Sequence, residues 1–243
     1  MIDLRKSSDR GHDDHGWGQS KFSFSFADYH DPAHMGFGVL RALIEDTIAP
    51  AGGFGTHPHR DMEIVTYVLA GELTHRDSIG NTGALRAGDV QRMSAGRGIQ
   101  HSEYNHGTTT PVRMLQIWLL PESRGTQPGY AQRHFPDAGK RGHLQPLANP
   151  DGRDGALDIG SDVALYALRL EAGDAPLHHR LATGRKAYVH LIDGGLTVNG
   201  WRIEAGDAVK IDGEDEVVIE QGQAAHALLF DLGTHPLTER NAR

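Results

Sequence analysis

Four side chains in two short segments have the types and spacing to hold a metal ion. His57 and His59 stand at i and i+2 in Gly55-Thr56-His57-Pro58-His59, and His101 and Glu103 repeat that spacing in Gly98-Ile99-Gln100-His101-Ser102-Glu103. On an extended chain, residues two apart point to the same face. If that face lines the inside of a barrel, three imidazole nitrogens and one carboxylate oxygen converge on one point. Imidazole and carboxylate without sulfur suit Fe(II), Mn(II), Ni(II), Cu(II) or Zn(II). Four protein ligands on an octahedral metal leave about two positions for substrate and for dioxygen or water. A structural zinc site is closed and commonly rich in cysteine, so an open site points to chemistry. Pro58 lacks a ladder donor and favours an edge or extended conformation, which stiffens the histidine pair. Glu63, at i+4 from His59, is the competing carboxylate, either as the ligand or as a partner behind one.

The elements that must position these groups read as short strands. The 243 residues include 31 glycines, mostly between short apolar runs, the pattern of an all-β sandwich or barrel. Phe22, Phe24 and Phe26 alternate with serines, predicting a strand with one aromatic face. Ile64–Leu69 is a buried-strand run stopped at Ala70-Gly71. Strands follow over Leu73–Ser78 and Val90–Met93, separated by the turns Gly80-Asn81-Thr82-Gly83 and Ala87-Gly88-Asp89. Met114–Leu119 closes this half before Pro121. Residues 121–155, rich in Gly, Pro, Asp and Arg, read as a linker with little regular structure.

The second half repeats the rhythm. Ala187–Ile192 is a strand run stopped at Asp193-Gly194-Gly195, and Val198-Asn199-Gly200-Trp201 predicts a tight hairpin, because Asn-Gly accepts a type I′ turn. Ala205-Gly206-Asp207 matches Ala87-Gly88-Asp89, so a duplicated β-barrel is the simplest account. Aligning Gly194 with Gly71 and Gly206 with Gly88 places Arg180, Ala182, Ile219 and Gln221 where His57, His59, His101 and Glu103 stand. None of the four can rebuild the site. His178 and His179 are consecutive and would face opposite ways.

Composition excludes several functions. There is no cysteine, hence no disulfide framework and no thiolate site. The N-terminal MIDLRKSSDRGHDD lacks the apolar core of a secretory signal, and no stretch approaches the roughly 20 apolar residues that span a bilayer. A cytoplasmic protein without membrane contact is therefore expected. A net charge of −8 with scattered basic residues argues against direct nucleic-acid binding. The 16 histidines are the unusual number; several, such as His12, His15, His30 and His34, fall in loop-like contexts.

His57-Pro58-His59-Arg60 with Glu63 and Tyr67, His75-Arg76-Asp77-Ser78, and Gly88-Asp89-Val90-Gln91-Arg92-Met93-Ser94-Ala95-Gly96-Arg97-Gly98-Ile99 before His101-Ser102-Glu103 resemble the pirin family of bicupins. Leu115-Gln116-Ile117-Trp118 with Pro121 fits too, as do Arg10-Gly11-His12, Trp17 and Phe24-Ser25-Phe26. The resemblance covers the first half closely and runs more loosely to Leu229-Phe230-Asp231-Leu232. It implies two stacked cupin barrels (double-stranded β-helix or jelly roll): 1–125 with the metal site, a linker at 126–155, and 156–243 without a metal. It also implies His57, His59, His101 and Glu103 as ligands, favouring Glu103 over Glu63, and one iron-like metal, most simply Fe(II), with Zn, Ni, Cu or Mn as alternatives.

Bacterial members similar to this chain are associated with quercetin 2,3-dioxygenase activity, which implies a small aromatic substrate and dioxygen. The metal would acidify the flavonol 3-hydroxyl, Glu103 would take its proton, and dioxygen would open the ring with release of carbon monoxide. Animal pirins are nuclear, metal-dependent transcriptional co-regulators, so the rival expectation is a non-catalytic binding or redox-sensing protein acting through a protein partner. An open apolar channel to the metal favours the enzyme, and a sealed site under a flat surface favours the rival. A third expectation is isomerase or hydrolase chemistry, since the fold hosts many reactions. His75 and Asp77 are expected either on a solvated strand face or beside the ligands. Gln116 needs a partner if buried, either in the core or at the pocket. Trp118, Trp201 and the phenylalanine stripe are expected in the core. Gly96 and Gly98 are expected to turn the chain into the barrel, and the tail from Thr234 to fray.

Overall fold

A computed structural model describes residues 1–235. All regular structure among them is β apart from three single 3-10 turns, at Ser7–Asp9, Asp137–Gly139 and Arg153–Gly155. The first half is a barrel of two sheets. The larger has seven strands, in the order Gly129–His134, Asp89–Ser94, Glu63–Ala70, Val112–Leu119, Leu40–Ile48, Gly18–Phe22, Gly11–Asp14. The smaller has four, in the order Gly53–His59, Ile99–Tyr104, Glu72–Asp77, Thr82–Arg86. The second half is a single curled sheet of nine strands, eight of its own and the N-terminal Ile2–Arg5.

The central strands of the seven-stranded sheet are buried on both faces, which explains the largely apolar run at Ile64–Leu69. Val65, Tyr67, Leu115 and Ile117 face the second half and join Leu165, Tyr188, Leu228 and Phe230 in one core. Alternate residues face inward, where Val68, Val112, Met114 and Ile48 pack with Leu73 and Leu85. The second barrel fills its own interior with aliphatic side chains, Val189, Leu191, Leu196, Val209, Val217 and Ile219 among them.

Several expectations meet a different structure. The strand carrying Phe22 ends there, and Ser23, Phe24 and Ser25 are all buried as the chain bends. Phe24 turns to the other barrel, its ring 5.5 Å from that of Tyr188, while Phe22 and Phe26 stack on each other at 5.6 Å. The stripe is therefore split between two environments. The residues expected as an irregular linker include two strands. Gly129–His134 pairs with Asp89–Ser94, and Gln145–Asn149 pairs with Val163–Leu170. Glycine and proline there mark the turns around these strands rather than their absence. The strand expected to stop at Asp193 runs from Lys186 to Val198, with register shifts at Asp193, Gly195 and Thr197 that keep it paired. Trp201, expected in the core, is 46% exposed because it is the first residue beyond the Asn199-Gly200 turn. That turn has positive φ at both residues, 45° and 82°, as the Asn-Gly pair required. Beyond His235, the tail expected to fray lies outside the described residues. The N-terminal strand Ile2–Arg5 pairs with Ala208–Asp212 of the second half.

Candidate metal centre

The strand Gly53–His59 is an edge of the four-stranded sheet, as Pro58 favoured, and it pairs antiparallel with Ile99–Tyr104. The register sets His57 opposite His101. Along Ile99–Tyr104 burial alternates, so Ile99, His101 and Glu103 point inward. Gly96 and Gly98 lead into this strand with φ of 46° and 139°, values open to glycine but strained for other residues.

These constraints bring the histidines together. Ring centroids lie 4.8 Å apart for His57–His59, 4.4 Å for His57–His101 and 4.8 Å for His59–His101. The Nε2 atoms of His59 and His101 are 2.9 Å apart. His57 Nδ1 lies 2.7 Å from the carbonyl oxygen of Gly55. A carbonyl only accepts, so the proton sits on Nδ1 and the Nε2 lone pair is free. Burial, then the neighbouring His57, pushes His59 down to about 4. Burial and the neighbouring histidines push His101 to about 2. Both rings are neutral at pH 7, the form that binds metal. Nitrogen lone pairs converging in a buried place repel one another unless a proton or a cation lies between them. The donor set fits a first-row divalent ion.

Glu103 is completely buried. His75, His101 and Glu103 form a second group, so His101 is common to two clusters, each with its donor atoms within 4.8 Å. Gln116 Nε2 donates to Glu103 Oε2 at 2.7 Å, and Thr66 Oγ1 to Oε1 at 3.3 Å. Burial raises the Glu103 carboxyl above its ordinary value against these donors. Gln116 Oε1 in turn accepts from Trp118 Nε1 at 3.1 Å, and the Trp118 ring stands edge-on to His59 at 4.8 Å. Gln116 and Trp118 thus belong to the site wall, and Trp118, only partly buried, packs on the core from there.

His75 and Asp77 are buried, not on a solvated face. His75 Nε2 lies 3.2 Å from Asp77 Oδ2, and its ring is 5.4 Å from that of His101. Asp77 also accepts from the backbone N–H groups of Ile79 and Asn81, which fixes the turn after its strand. Glu63 is elsewhere: its Oε2 accepts from Ser94 Oγ at 2.7 Å, and it is in neither cluster. Counting strand phase from His59 to Glu63 fails because Asp61, with φ of 49°, breaks the extended chain and Glu63 starts a strand of the other sheet.

A cavity of about 290 Å³ lies between the two sheets of the first barrel and reaches His57, His59, Glu103 and Gln116. Phe22, Phe26, Phe54 and Trp118 give it aromatic walls, and His15, Ser20 and Asp46 a polar strip. It meets solvent at exposed Asp13, Ala27 and Pro58. Burial pushes Asp46 up to about 7, against the hydrogen bond from Ser20. The strip was not expected. Its available signal was Asp46 itself, a carboxylate in phase with Ala42, Ile44 and Ile48 on the inward stripe of Leu40–Ile48. Among the described residues, both groups able to hold a metal lie in the first half. His178 and His179 diverge, bonding Glu216 and Asp231 respectively.

Two stacked cupin barrels, with a metal-competent histidine cluster in the first alone among the described residues, make this chain a bicupin. It belongs to the pirin family. The Pirin profile matches residues 3–119, and the profile of the quercetinase C-terminal cupin domain matches residues 147–232. Quercetin 2,3-dioxygenase of Escherichia coli (strain K12) is 44% identical over 232 residues, 96% of this chain and 99% of that protein. A pirin-like protein of Caulobacter vibrioides is 41% identical over 95% of this chain and 99% of its own length. The crystal structure of the bacterial pirin YhhW from Escherichia coli in complex with nickel(II) superposes with a TM-score of 0.92 at 43% identity, covering 97% of this chain and 100% of that one.

Proposed function

We propose that this protein is a metal-dependent dioxygenase that opens the ring of a flavonol such as quercetin, with His57, His59, His101 and Glu103 as ligands of one Fe(II). The single observation that carries the reading is the aromatic-walled cavity ending at His57, His59 and Glu103. Its volume is at the small end of the range for small-molecule sites, roughly 300–1,000 Å³. The rival reading, a partner-binding protein, required a sealed site under a flat surface. Identity to quercetin 2,3-dioxygenase along nearly the whole chain supports the same choice.

Bound there, a divalent metal supplies Lewis acidity to the flavonol 3-hydroxyl and a route for dioxygen chemistry. The chain supplies the rest. Glu103, raised by burial, takes the 3-hydroxyl proton. Gln116 and Thr66 hold that carboxyl in place while its charge changes. Trp118 fixes His59 by edge contact, and Phe22, Phe26 and Phe54 clamp a planar ring and keep water out. The choice of Fe(II) rests on the oxygen and nitrogen donors and on the need for dioxygen chemistry. Nickel, present in the similar YhhW structure, is the competing ion. Cytoplasmic location is part of the same reading. No helix among the described residues is long and apolar enough to cross a membrane.

Metal-loaded protein should consume dioxygen with quercetin, and Glu103→Gln or His101→Ala should abolish uptake. Metal analysis of protein purified without added metal should return one equivalent, lost in His101→Ala. Equal turnover by chelator-stripped protein would end the enzyme reading.

A further inference from the structure

The polar strip on the cavity wall has a construction that cross-strand pairing alone does not explain. Ser20 and Asp46 are register partners on adjacent strands, and Ser20 Oγ donates to Asp46 Oδ1 at 2.5 Å. Because that proton points at Asp46, Ser20 Oγ accepts from His15 Nε2 at 2.9 Å. The His15 ring is in turn fixed by stacking on Trp17 at 5.0 Å and 16°. Successive hydrogen bonds therefore run one way, each polarising the next toward one carboxylate oxygen. Among the described residues the other oxygen, Oδ2, takes no hydrogen bond from the protein, and Asp46, only 3% exposed, lines the cavity. A carboxylate oxygen facing an aromatic-walled cavity is satisfied once whatever fills the cavity brings a donor. The rest of the cavity lining is aromatic or aliphatic, apart from the Ser20–His15 chain, the Glu103–Gln116 pair, His57 and His59 at the metal site and Asp13 at the mouth.

The geometry points to Asp46 as a specificity-determining residue whose free oxygen accepts a hydrogen bond from a substrate hydroxyl other than the one bound at the metal. The assignment rests on the flavonol reading above and narrows it. The ligand is a planar aromatic with at least one further phenolic donor, gripped by ring faces on one side and by Asp46 on the other. Ser20 and His15 are positioning residues, because they hold the carboxylate and do not need to touch the ligand.

Quercetin, galangin and 3-hydroxyflavone separate the possibilities. Quercetin carries hydroxyls on both outer rings, galangin only on the fused ring, and 3-hydroxyflavone none beyond the 3-position. Binding to the metal-loaded protein without oxygen, followed by quenching of tryptophan fluorescence, gives dissociation constants free of turnover; Trp118 lines the cavity. At pH 8.5, above the raised value of Asp46, the wild type should bind the better of quercetin and galangin at least about tenfold more tightly than 3-hydroxyflavone, the scale of a hydrogen bond to a charged group. Preference shared by quercetin and galangin places the donor on the fused ring, and preference for quercetin alone places it on the pendant ring.

Asp46→Val should bring the ratio to within about twofold. Asp46→Asn keeps shape and a weaker acceptor, and should lower the ratio several-fold if Asp46→Val does not fold. Three results overturn the assignment: no preference in the wild type, an unchanged ratio in the folded variants, or lower melting temperature as the sole effect. Oxygen uptake separates this inference from the reading beneath it. Loss of selectivity without oxygen consumption by any flavonol sinks the dioxygenase and leaves Asp46 as a hydroxyl reader. Oxygen consumption indifferent to the outer hydroxyls sinks the assignment alone. Failure to bind all three overturns both.

Discussion

Glu103 can serve both as a metal ligand and as a base only if its carboxyl stays in place when its charge changes. Gln116 provides that constraint, and it is itself fixed by the Trp118 indole. In Gln116→Leu, of similar volume, a fully buried carboxyl loses its shortest hydrogen bond. Oxygen uptake with quercetin should fall about 10–100-fold, the usual consequence of losing a group that orients a ligand. Stability should fall by about 1–3 kcal/mol from the donor left without its mate. Activity within twofold of wild type would show that Thr66 alone holds Glu103. Glu63 illustrates the converse. Its carboxyl has the right chemistry and suitable spacing, but a bend at Asp61 delivers it to Ser94.

At the scale of elements, the site depends on two strands entering the barrel at fixed register. Gly96 controls the second of them, because its φ of 46° starts the turn before Ile99–Tyr104. A Cβ at that position would also press on the carbonyl of Thr126. Gly96→Ala should therefore destabilise the protein by about 1–2 kcal/mol or more and weaken metal uptake in parallel, since His101 and Glu103 follow in the same strand. Thermal unfolding with and without metal measures both effects. A stability loss with metal affinity intact would mean that the strand reaches its register by another route. Pro58 acts at the opposite edge, where a residue without an N–H removes no ladder bond that the sheet needs.

At the scale of the molecule, the two barrels share one core and several charged ties. Glu45 accepts from Arg113 Nε at 2.9 Å and from Arg10 Nη1 at 3.0 Å, while Arg113 also reaches Asp193 and the carbonyl of Ile192 in the second barrel. Burial alone would raise the Glu45 carboxyl, but Arg10 and Arg113 outweigh it and hold it at about 2, below the ordinary 4.5. A carboxyl depressed by folding adds stability above its unfolded pKa and loses it as pH falls through the folded one. Between pH 4.5 and 2 the wild type should thus lose on the order of 2–3 kcal/mol through this group. Glu45→Gln should flatten that part of the stability–pH curve in denaturant titrations. Ile2–Arg5 is the second long-range tie, since it covers the edge of Ala208–Asp212 with Ile2 and Leu4 packed on the second core. Deleting residues 1–5 should remove roughly 2–3 kcal/mol and lower Tm by about 5–10 °C. An unchanged Tm would show that the pairing adds nothing to the second barrel.

Local spacing carried the histidine and carboxylate pairs, the Asn199-Gly200 hairpin and the all-β alternation, because each depends on a repeat of two residues or on the φ preference of one. The absence of ligand types at Arg180, Ala182, Ile219 and Gln221 was equally legible, since side-chain type is a local property. Other features arose only when distant segments met. Phe24 faces Tyr188 and Phe22 faces the cavity, a division made by a bend that the Phe-Ser alternation does not encode. Residues 129–134 became a strand because the edge at Asp89–Ser94 offered unpaired donors and acceptors. The cavity wall of His15, Ser20, Asp46 and Trp118 draws on three strands and a loop. Strand phase is written in neighbouring residues; which faces become enclosed together depends on register and sheet packing, which form only when the whole chain closes.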